Sequence, residues 1–300
     1  MSAPARPLRI ALIQMTSGED PAANLAAAEA MLREAAAGGA ELALTPEVTN
    51  LVTLDRAHQR AVLRSEVEDP TLAGLRGLAA ELGIWLSIGS LAVDGGLGGR
   101  DDGRAANRQF LLAPDGGIVA RYDKIHMFDV AIGGADTFRE SDNFRPGEHA
   151  VLADTPFARL GLTICYDMRF PALHRALAEG GAEIITSPAA FTVPTGRAHW
   201  EVLLRARAIE TGSFVLAAAQ VGHHPSKNGR DRQTWGHSLA VAPWGEVLAD
   251  GGGEGPGVIF ADLDLAAVAE ARRRIPCLAN ARAFEGPEPQ AEQPAHRRTG

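Results

Sequence analysis

Along the chain, short runs of branched apolar residues alternate with longer stretches rich in alanine and leucine, punctuated by Asp-Pro pairs and by glycine. Runs of about four to eight apolar residues suit buried strands and the longer stretches suit helices, so the alternation predicts an α/β fold with helices covering sheets. The run Leu8 to Met15 predicts the first strand. Asp20-Pro21 then supplies an N-cap acceptor and a proline at the first helical position, and a helix over Ala22 to Ala37 stops at Gly38-Gly39. A second strand, Leu42 to Thr45, exits on Pro46-Glu47. Asp69-Pro70 opens another helix, which Gly83 ends after Leu82, and Ile84 to Leu91 returns as a strand. Gln109 to Ala113 and Ile118 to Tyr122, joined by Pro114-Asp115-Gly116-Gly117, predict a hairpin.

The second half repeats this grammar: strand Arg159 to Ile164, helix Pro171 to Glu179, strand Glu183 to Thr186, helix Gly196 to Glu210, strand Phe214 to Ala219. A hairpin closes it, Ser238 to Ala242 and Val247 to Ala249 around Pro243-Trp244-Gly245-Glu246, which suggests that the two halves are built alike. Asp94 to Ala105 and Ala131 to Pro146 read as surface loops. With no linker elsewhere, residues 1–284 are expected to form one domain. Residues 285–300, with three prolines and scattered charge, are expected to be a disordered tail.

The composition, 46% hydrophobic and 22% charged, is that of a water-soluble globular chain. The 29 basic residues against 37 acidic ones leave a net charge of −8, which offers no footprint for nucleic acid. No apolar run approaches the ~18 residues that span a bilayer, so no membrane partner is expected. Met1 to Pro7 leads straight into Leu8 to Ile13, too short and too interrupted for a signal peptide's apolar region, and two cysteines build no disulfide framework, so a reducing, cytoplasmic location is expected. His223-His224 lacks a carboxylate or cysteine at ligand spacing and reads as a solvated loop, so no metal is expected.

Cys165 ends an apolar strand and is followed by Tyr166-Asp167-Met168-Arg169-Phe170-Pro171, where the proline can start a helix. A nucleophile at such a strand-turn-helix junction projects from the sheet edge, and the next backbone N–H, that of Tyr166, faces a developing oxyanion. A thiol with a pKa of about 8.5 is mostly protonated at neutral pH and needs a partner. His174 or His237 could form a dyad with it; a carboxylate and an ammonium could serve instead, with Glu47 and Lys124 each at a strand exit. Against these stand the plain alternatives of a buried inert cysteine and solvated surface charges. Cys277, with nothing nearby to activate it, reads as structural, and Trp200 and Trp235 read as core or pocket wall.

Taken together, Pro46-Glu47, Lys124-Ile125-His126 and Cys165 to Pro171 resemble the nitrilase superfamily of carbon–nitrogen hydrolases. The similarity extends to Phe138-Arg139-Glu140-Ser141, to Thr195 to Glu201 and to Arg205 to Glu210. It runs from about Leu8 to about Phe284 and looks closest to the Nit branch. Thr45, where an apolar residue usually precedes Pro-Glu, and Ala172, where Glu often follows Phe-Pro, depart from the pattern. The resemblance implies a four-layer αββα sandwich of two similar halves, homodimers paired through sheet-flanking helices, and a cofactor-free amidase. It implies a Glu47-Lys124-Cys165 triad, with Glu140 orienting Lys124 or the substrate and with Lys124 and the Tyr166 N–H on the oxyanion. It also implies a small amide substrate carrying a carboxylate, for which His126, Arg169 or Arg197 would supply a cation. Within the branch, the run Arg205 to Thr211 with Ala217 to Gln220 looks more like deaminated-glutathione amidases than like omega-amidases acting on α-ketoglutaramate. A non-catalytic scaffold and an acyltransferase are rival readings; a nitrile substrate is disfavoured by the Nit-type motifs.

Overall fold

The structure, a computed structural model, describes residues 6–95, 102–133, 136–224, 226 and 232–286. The first half runs β1 (Leu8–Gln14), α1 (Pro21–Ala37), β2 (Leu42–Leu44), α2 (Arg56–Val62), α3 (Pro70–Leu82), β3 (Trp85–Asp94), β4 (Ala105–Leu112) and β5 (Ile118–Asp123). A short ladder, β6 (Asp129–Gly133) with β7 (Asp136–Arg139), leads into the second half. There follow β8 (Val151–Asp154), β9 (Arg159–Leu162), α4 (Pro171–Glu179), β10 (Ile184–Thr186), α5 (Val193–Thr211), β11 (Phe214–Ala217), β12 (Val221–His224) and β13 (Arg232–Trp235). β14 (Leu239–Val241), β15 (Val247–Asp250), β16 (Gly257–Leu263) and α6 (Ala266–Arg274) complete the chain.

The predicted caps form. The Asp20 carboxylate accepts from the amides of Ala22 and Ala23, and the Asp69 carboxylate accepts from that of Leu72 at 2.8 Å. Gly83 turns left-handed at φ 65° to end α3, a conformation that costs glycine nothing.

One six-stranded sheet has the order β16-β1-β2-β3-β4-β5 and the other β8-β9-β10-β11-β14-β15. In each, three consecutive strands run parallel, two antiparallel strands extend one side and one antiparallel strand closes the other. The two halves are therefore alike, as the repeated hairpin suggested. Their edge strands differ in origin: β8 precedes the parallel strands of its sheet, whereas β16 comes from the far end of the chain.

Alternation along the strands sorts the core into layers. Leu8, Ile10 and Leu12 of β1 join Leu160, Leu162 and Ile184 of the second sheet, while Ala11 and Ile13 face the other way onto Leu32 of α1 and Leu75 of α3. Leu177 of α4 closes on Gly161, and Trp200 and Leu204 of α5 join the same core from outside the second sheet. The result is the four-layer αββα sandwich. Gln109 crosses between the sheets, its Nε2 donating to Thr186 Oγ1 at 2.7 Å.

Three sequence expectations need correction. Ala131 to Pro146 is not loop throughout: the β6–β7 ladder runs to Arg139, and a 3₁₀ turn follows at Glu140–Asp142. His223-His224 lies in β12, and His224 is buried with both ring nitrogens bonded, to Ser17 O and Thr234 Oγ1. Ser238 to Ala242 is strand only from Leu239 to Val241. The tail beyond Glu285 lies, from residue 287 on, outside the described residues, as does most of the glycine-rich stretch before Ala105. Among the described residues no helix is long and apolar enough to cross a membrane.

Candidate active site

Three strand exits meet at one place. Glu47 follows β2, Lys124 follows β5, and Cys165 follows β9 of the facing sheet. All three side chains are buried, Lys124 at 2% exposure. The Lys124 ammonium donates to Glu47 Oε1 at 2.8 Å and to both oxygens of Glu140 at 2.9 Å. The Cys165 thiol lies close enough to Glu47 for each group to shift the other's pKa. Glu140 stands where β7 gives way to the 3₁₀ turn, and its Oε2 also accepts from the Phe128 amide at 2.6 Å.

The local backbone explains why these side chains converge. Cys165 has φ 48°, in the left-handed region that non-glycine residues seldom enter, at the sharp turn from strand into the 3₁₀ helix Cys165–Arg169. Its amide donates to Pro188 O at 2.8 Å. Val48, just after Glu47, has φ 49°, so the Glu47 and Cys165 side chains both sit at or beside strained backbone. Gly89 lets β3 pass between the two proline turns: a Cβ there would lie 2.0 Å from the Thr45 carbonyl oxygen and 2.5 Å from Pro188 Cβ. Thr45, the departure noted in the sequence, is fully buried; its hydroxyl accepts from the Gly89 amide and from the Thr49 hydroxyl, bracing the Pro46-Glu47 turn. Ala172 is exposed on α4, away from these contacts.

Asp167 ties the cysteine turn to the lysine segment. Its buried carboxylate accepts from the amides of Ile164 and His126, from His126 Nδ1 and from the Tyr122 hydroxyl, the last at 2.6 Å. Tyr122 and His126 flank Lys124, so one carboxylate fixes the ammonium relative to the thiol.

The electrostatics follow from burial and neighbours. For Cys165, burial and then the Glu47 charge push the thiol well above its ordinary range, with Lys124 opposing. For Glu47, burial acts to raise the pKa, but Lys124, the Cys165 thiol and the charge of Arg232 together bring it below the usual carboxylate value. Lys124 is held well above its ordinary pKa because Glu140 and Glu47 outweigh its burial. These directions favour a protonated thiol beside an ammonium and the Glu47 carboxylate.

The other candidates fall in different places. His126 is stacked on Phe170 with ring centroids 3.5 Å apart, its Nδ1 held by Asp167. Arg169 lies over the Phe191 and Tyr166 rings and bonds His199. Arg197 is exposed on α5. Neither histidine proposed for a dyad bonds Cys165: His174 is buried against Phe170 O, and His237 pairs with Asp250. Arg207 is buried, donating to Met168 O, whereas Arg205 is exposed, so that helix both supports the site and carries surface charge. Cys277 is exposed. Among the described residues no group of three or more His, Cys, Asp or Glu is placed to hold a metal ion.

Three contributors had no sequence signal. Asn107, inside β4, donates from Nδ2 to Glu47 Oε1 at 2.9 Å and to Glu140 Oε1 at 3.3 Å. The Ala190 amide donates to Glu47 Oε2 at 2.8 Å. Arg232 donates to Ala190 O at 2.9 Å, which brings its charge close to Glu47.

Comparison with known proteins gives a consistent picture. The family profile described as "Carbon-nitrogen hydrolase" matches residues 9–273. A deaminated glutathione amidase of Yersinia enterocolitica is 43% identical over 253 residues, 84% of this chain and 84% of that protein. The human omega-amidase NIT2 is 36% identical over 269 residues, 89% of this chain and 92% of its own. The crystal structure of the Caenorhabditis elegans NitFhit protein superposes with a TM-score of 0.83 at 37% identity, over 93% of this chain and 66% of that one.

Proposed function

Because the chain belongs to the carbon–nitrogen hydrolase family, we propose that it is a cysteine-dependent amidase acting on deaminated glutathione through the Glu47-Lys124-Cys165 triad. The observation that carries the triad is the single buried ammonium of Lys124 bonded to both Glu47 and Glu140, with the Cys165 thiol close to Glu47. The observation that favours the substrate is the greater identity to deaminated glutathione amidase than to omega-amidase NIT2.

In this mechanism Glu47 accepts the thiol proton as Sγ attacks the amide carbon. Lys124 and the Tyr166 N–H stabilise the tetrahedral oxyanion. As the C–N bond breaks, Glu47 returns the proton to the departing nitrogen, leaving an amine and a thioester on Cys165. A water molecule then loses a proton to Glu47 and attacks the thioester. Collapse of that intermediate frees the acid, and the proton goes back to Sγ. Glu140 and Asn107 hold Lys124 and Glu47 at the separation this shuttle needs.

Hydrolysis of deaminated glutathione yields 2-oxoglutarate with cysteinylglycine, and hydrolysis of α-ketoglutaramate yields 2-oxoglutarate with ammonia. Parallel assays of 2-oxoglutarate formation are expected to give a higher kcat/KM for deaminated glutathione; the opposite preference makes the protein an omega-amidase. Hydroxylamine in the assay separates hydrolase from acyltransferase, since a transferase passes its acyl group to the amine in preference to water. Absence of turnover together with absence of any adduct on Cys165 would favour the scaffold reading.

The depressed pKa of Glu47 gives a pH dependence. A base that stays ionised below the ordinary glutamate range, about 4.5, places the acid limb of kcat/KM under that value. The matching contribution to folding is fully present above pH of about 4.5 and is lost as the pH falls through the lowered folded value. A kcat/KM profile with its acid limb near 6 or 7 would show that another group, or a perturbed Glu47, limits the reaction.

Residues 1–284 would form the catalytic domain, acting as a homodimer in the cytoplasm. Support for pairing comes from Ile209, 52% exposed on α5, which lines one surface cleft with the exposed Trp244 and Ile275. A monomer in sedimentation would refute the pairing.

A further inference from the structure

Arg232 begins β13, where it pairs with His224 in the ladder with β12. That hairpin is anchored to the loop beyond β1 by His224, whose ring bridges Ser17 O and Thr234 Oγ1, and which burial keeps neutral with a pKa lowered to about 4. The other strand of the hairpin runs beside the segment that follows β10: Thr234 bridges to Thr192, and the Trp235 amide donates to Phe191 O at 2.9 Å. Arg232 is thereby fixed against Ala190, the residue whose amide donates to Glu47.

The guanidinium is incompletely used. Nη2 donates to Ala190 O, but Nε is buried with no hydrogen-bond partner, and among the described residues no carboxylate pairs with the side chain. An arginine does not shed its proton, so although its charge is felt by Glu47, this partly buried guanidinium keeps an unmet donor that an anion's oxygen could accept from. Its planar fork of N–H groups matches a carboxylate in two-point geometry. Of the cations expected from the sequence, Arg197 points to solvent, His126 is engaged by Asp167, and Arg169 lies over aromatic rings beside Phe191, the next residue along.

We propose that Arg232 is the specificity-determining residue that receives a substrate carboxylate, pairing it while the amide lies between Cys165 and Lys124. The inference rests on the amidase reading above and names the part of the site that selects an anionic amide over a neutral one. Deaminated glutathione carries two carboxylates, and Arg169 and Arg232 border adjacent residues of one segment.

The test compares the full-length protein with Arg232→Gln and Arg232→Lys on deaminated glutathione and on butyramide, a neutral amide. For Arg232→Gln, KM for deaminated glutathione is expected to rise at least about tenfold more than KM for butyramide, and Arg232→Lys should recover part of the difference. Equal losses on both substrates overturn the proposal, because they would mean that Arg232 acts only through the charge of Glu47. If the wild-type protein turns over no carboxylate-bearing amide, the amidase reading fails separately. Calorimetric titration of glutarate into Cys165→Ala, with Arg232 or Gln at 232, then decides the subsite: binding weakened about tenfold by Gln supports it, and equal or absent binding to both overturns it.

Discussion

Replacing Cys165 with alanine is expected to lower kcat by about 10⁴-fold or more while leaving the thermal midpoint within a few degrees of wild type. In the proposed mechanism Sγ is the atom that takes the acyl group, and no other thiol lies among the described residues of the site. The structural loss is small by comparison: one sulfur in a nearly buried position and one neighbour of a carboxylate that keeps Lys124, Asn107 and the Ala190 amide. The left-handed backbone at position 165 is as uncomfortable for alanine as for cysteine, so it adds no difference between them. Rapid-quench mass spectrometry should find an acyl adduct on the wild-type chain and none on the variant. A folded Cys165→Ala protein that still forms 2-oxoglutarate would refute the thioester route.

Lys124→Met should remove both activity and stability. Methionine has nearly the length of lysine but no charge, so Glu47 and Glu140, which now meet on one ammonium, would face each other with Asn107 as the only shared donor. Removing one partner of a buried ion pair typically costs about 3–5 kcal/mol, because the remaining charge stays desolvated. The pH dependence carries the diagnostic sign. Two crowded carboxylates raise the pKa of one of them in the folded state, so the variant keeps its stability at low pH and loses it as the pH rises through that value. A thermal midpoint that falls between pH 5 and pH 8 is expected for Lys124→Met. Adding Glu140→Gln should restore much of the stability and little of the activity. A Lys124→Met protein as stable at pH 8 as at pH 5 would mean that the carboxylates do not depend on the ammonium.

Much of this arrangement was legible before any coordinates, for identifiable reasons. Helices opening on Asp20-Pro21 and Asp69-Pro70 have their caps written in consecutive residues, and β1, β2 and β9 to β11 are buried on both faces, so they read as unbroken apolar runs. Glu47, Lys124 and Cys165 stood out as candidates because each lies at or within three residues of a strand's end, and the resemblance to carbon–nitrogen hydrolases joined them as a triad. The elements that went unread lack those marks. β16 sits at a sheet edge with mostly half-buried residues, and α6 carries three consecutive arginines in its last turn over a narrow apolar stripe. Asn107 lies within eight buried residues of β4, where polarity alone does not reveal a partner 60 residues away. Arg232 meets Ala190 across 42 residues through a hairpin of largely polar sequence. Two of the corrected readings have a nonlocal cause: His224 is polar and the β6–β7 ladder is two short strands set in a run of Gly, Asp, Ser and Asn, and tertiary pairing rather than local hydrophobicity makes each part of the structure.

The edge strand β16 has a consequence for biosynthesis. It pairs with β1 from Leu8↔Leu263 to Gln14↔Gly257, a contact that spans about 250 residues of sequence. Until Gly257 to Leu263 leaves the ribosome, β1 presents an unpaired row of amides and carbonyls beside Ile10, Leu12 and Ile13, which the finished fold buries completely. An open apolar edge of this kind is a template for pairing with another nascent chain. The first strand of the fold to be made is therefore the one that waits longest for its neighbour, and the one that must be shielded throughout translation.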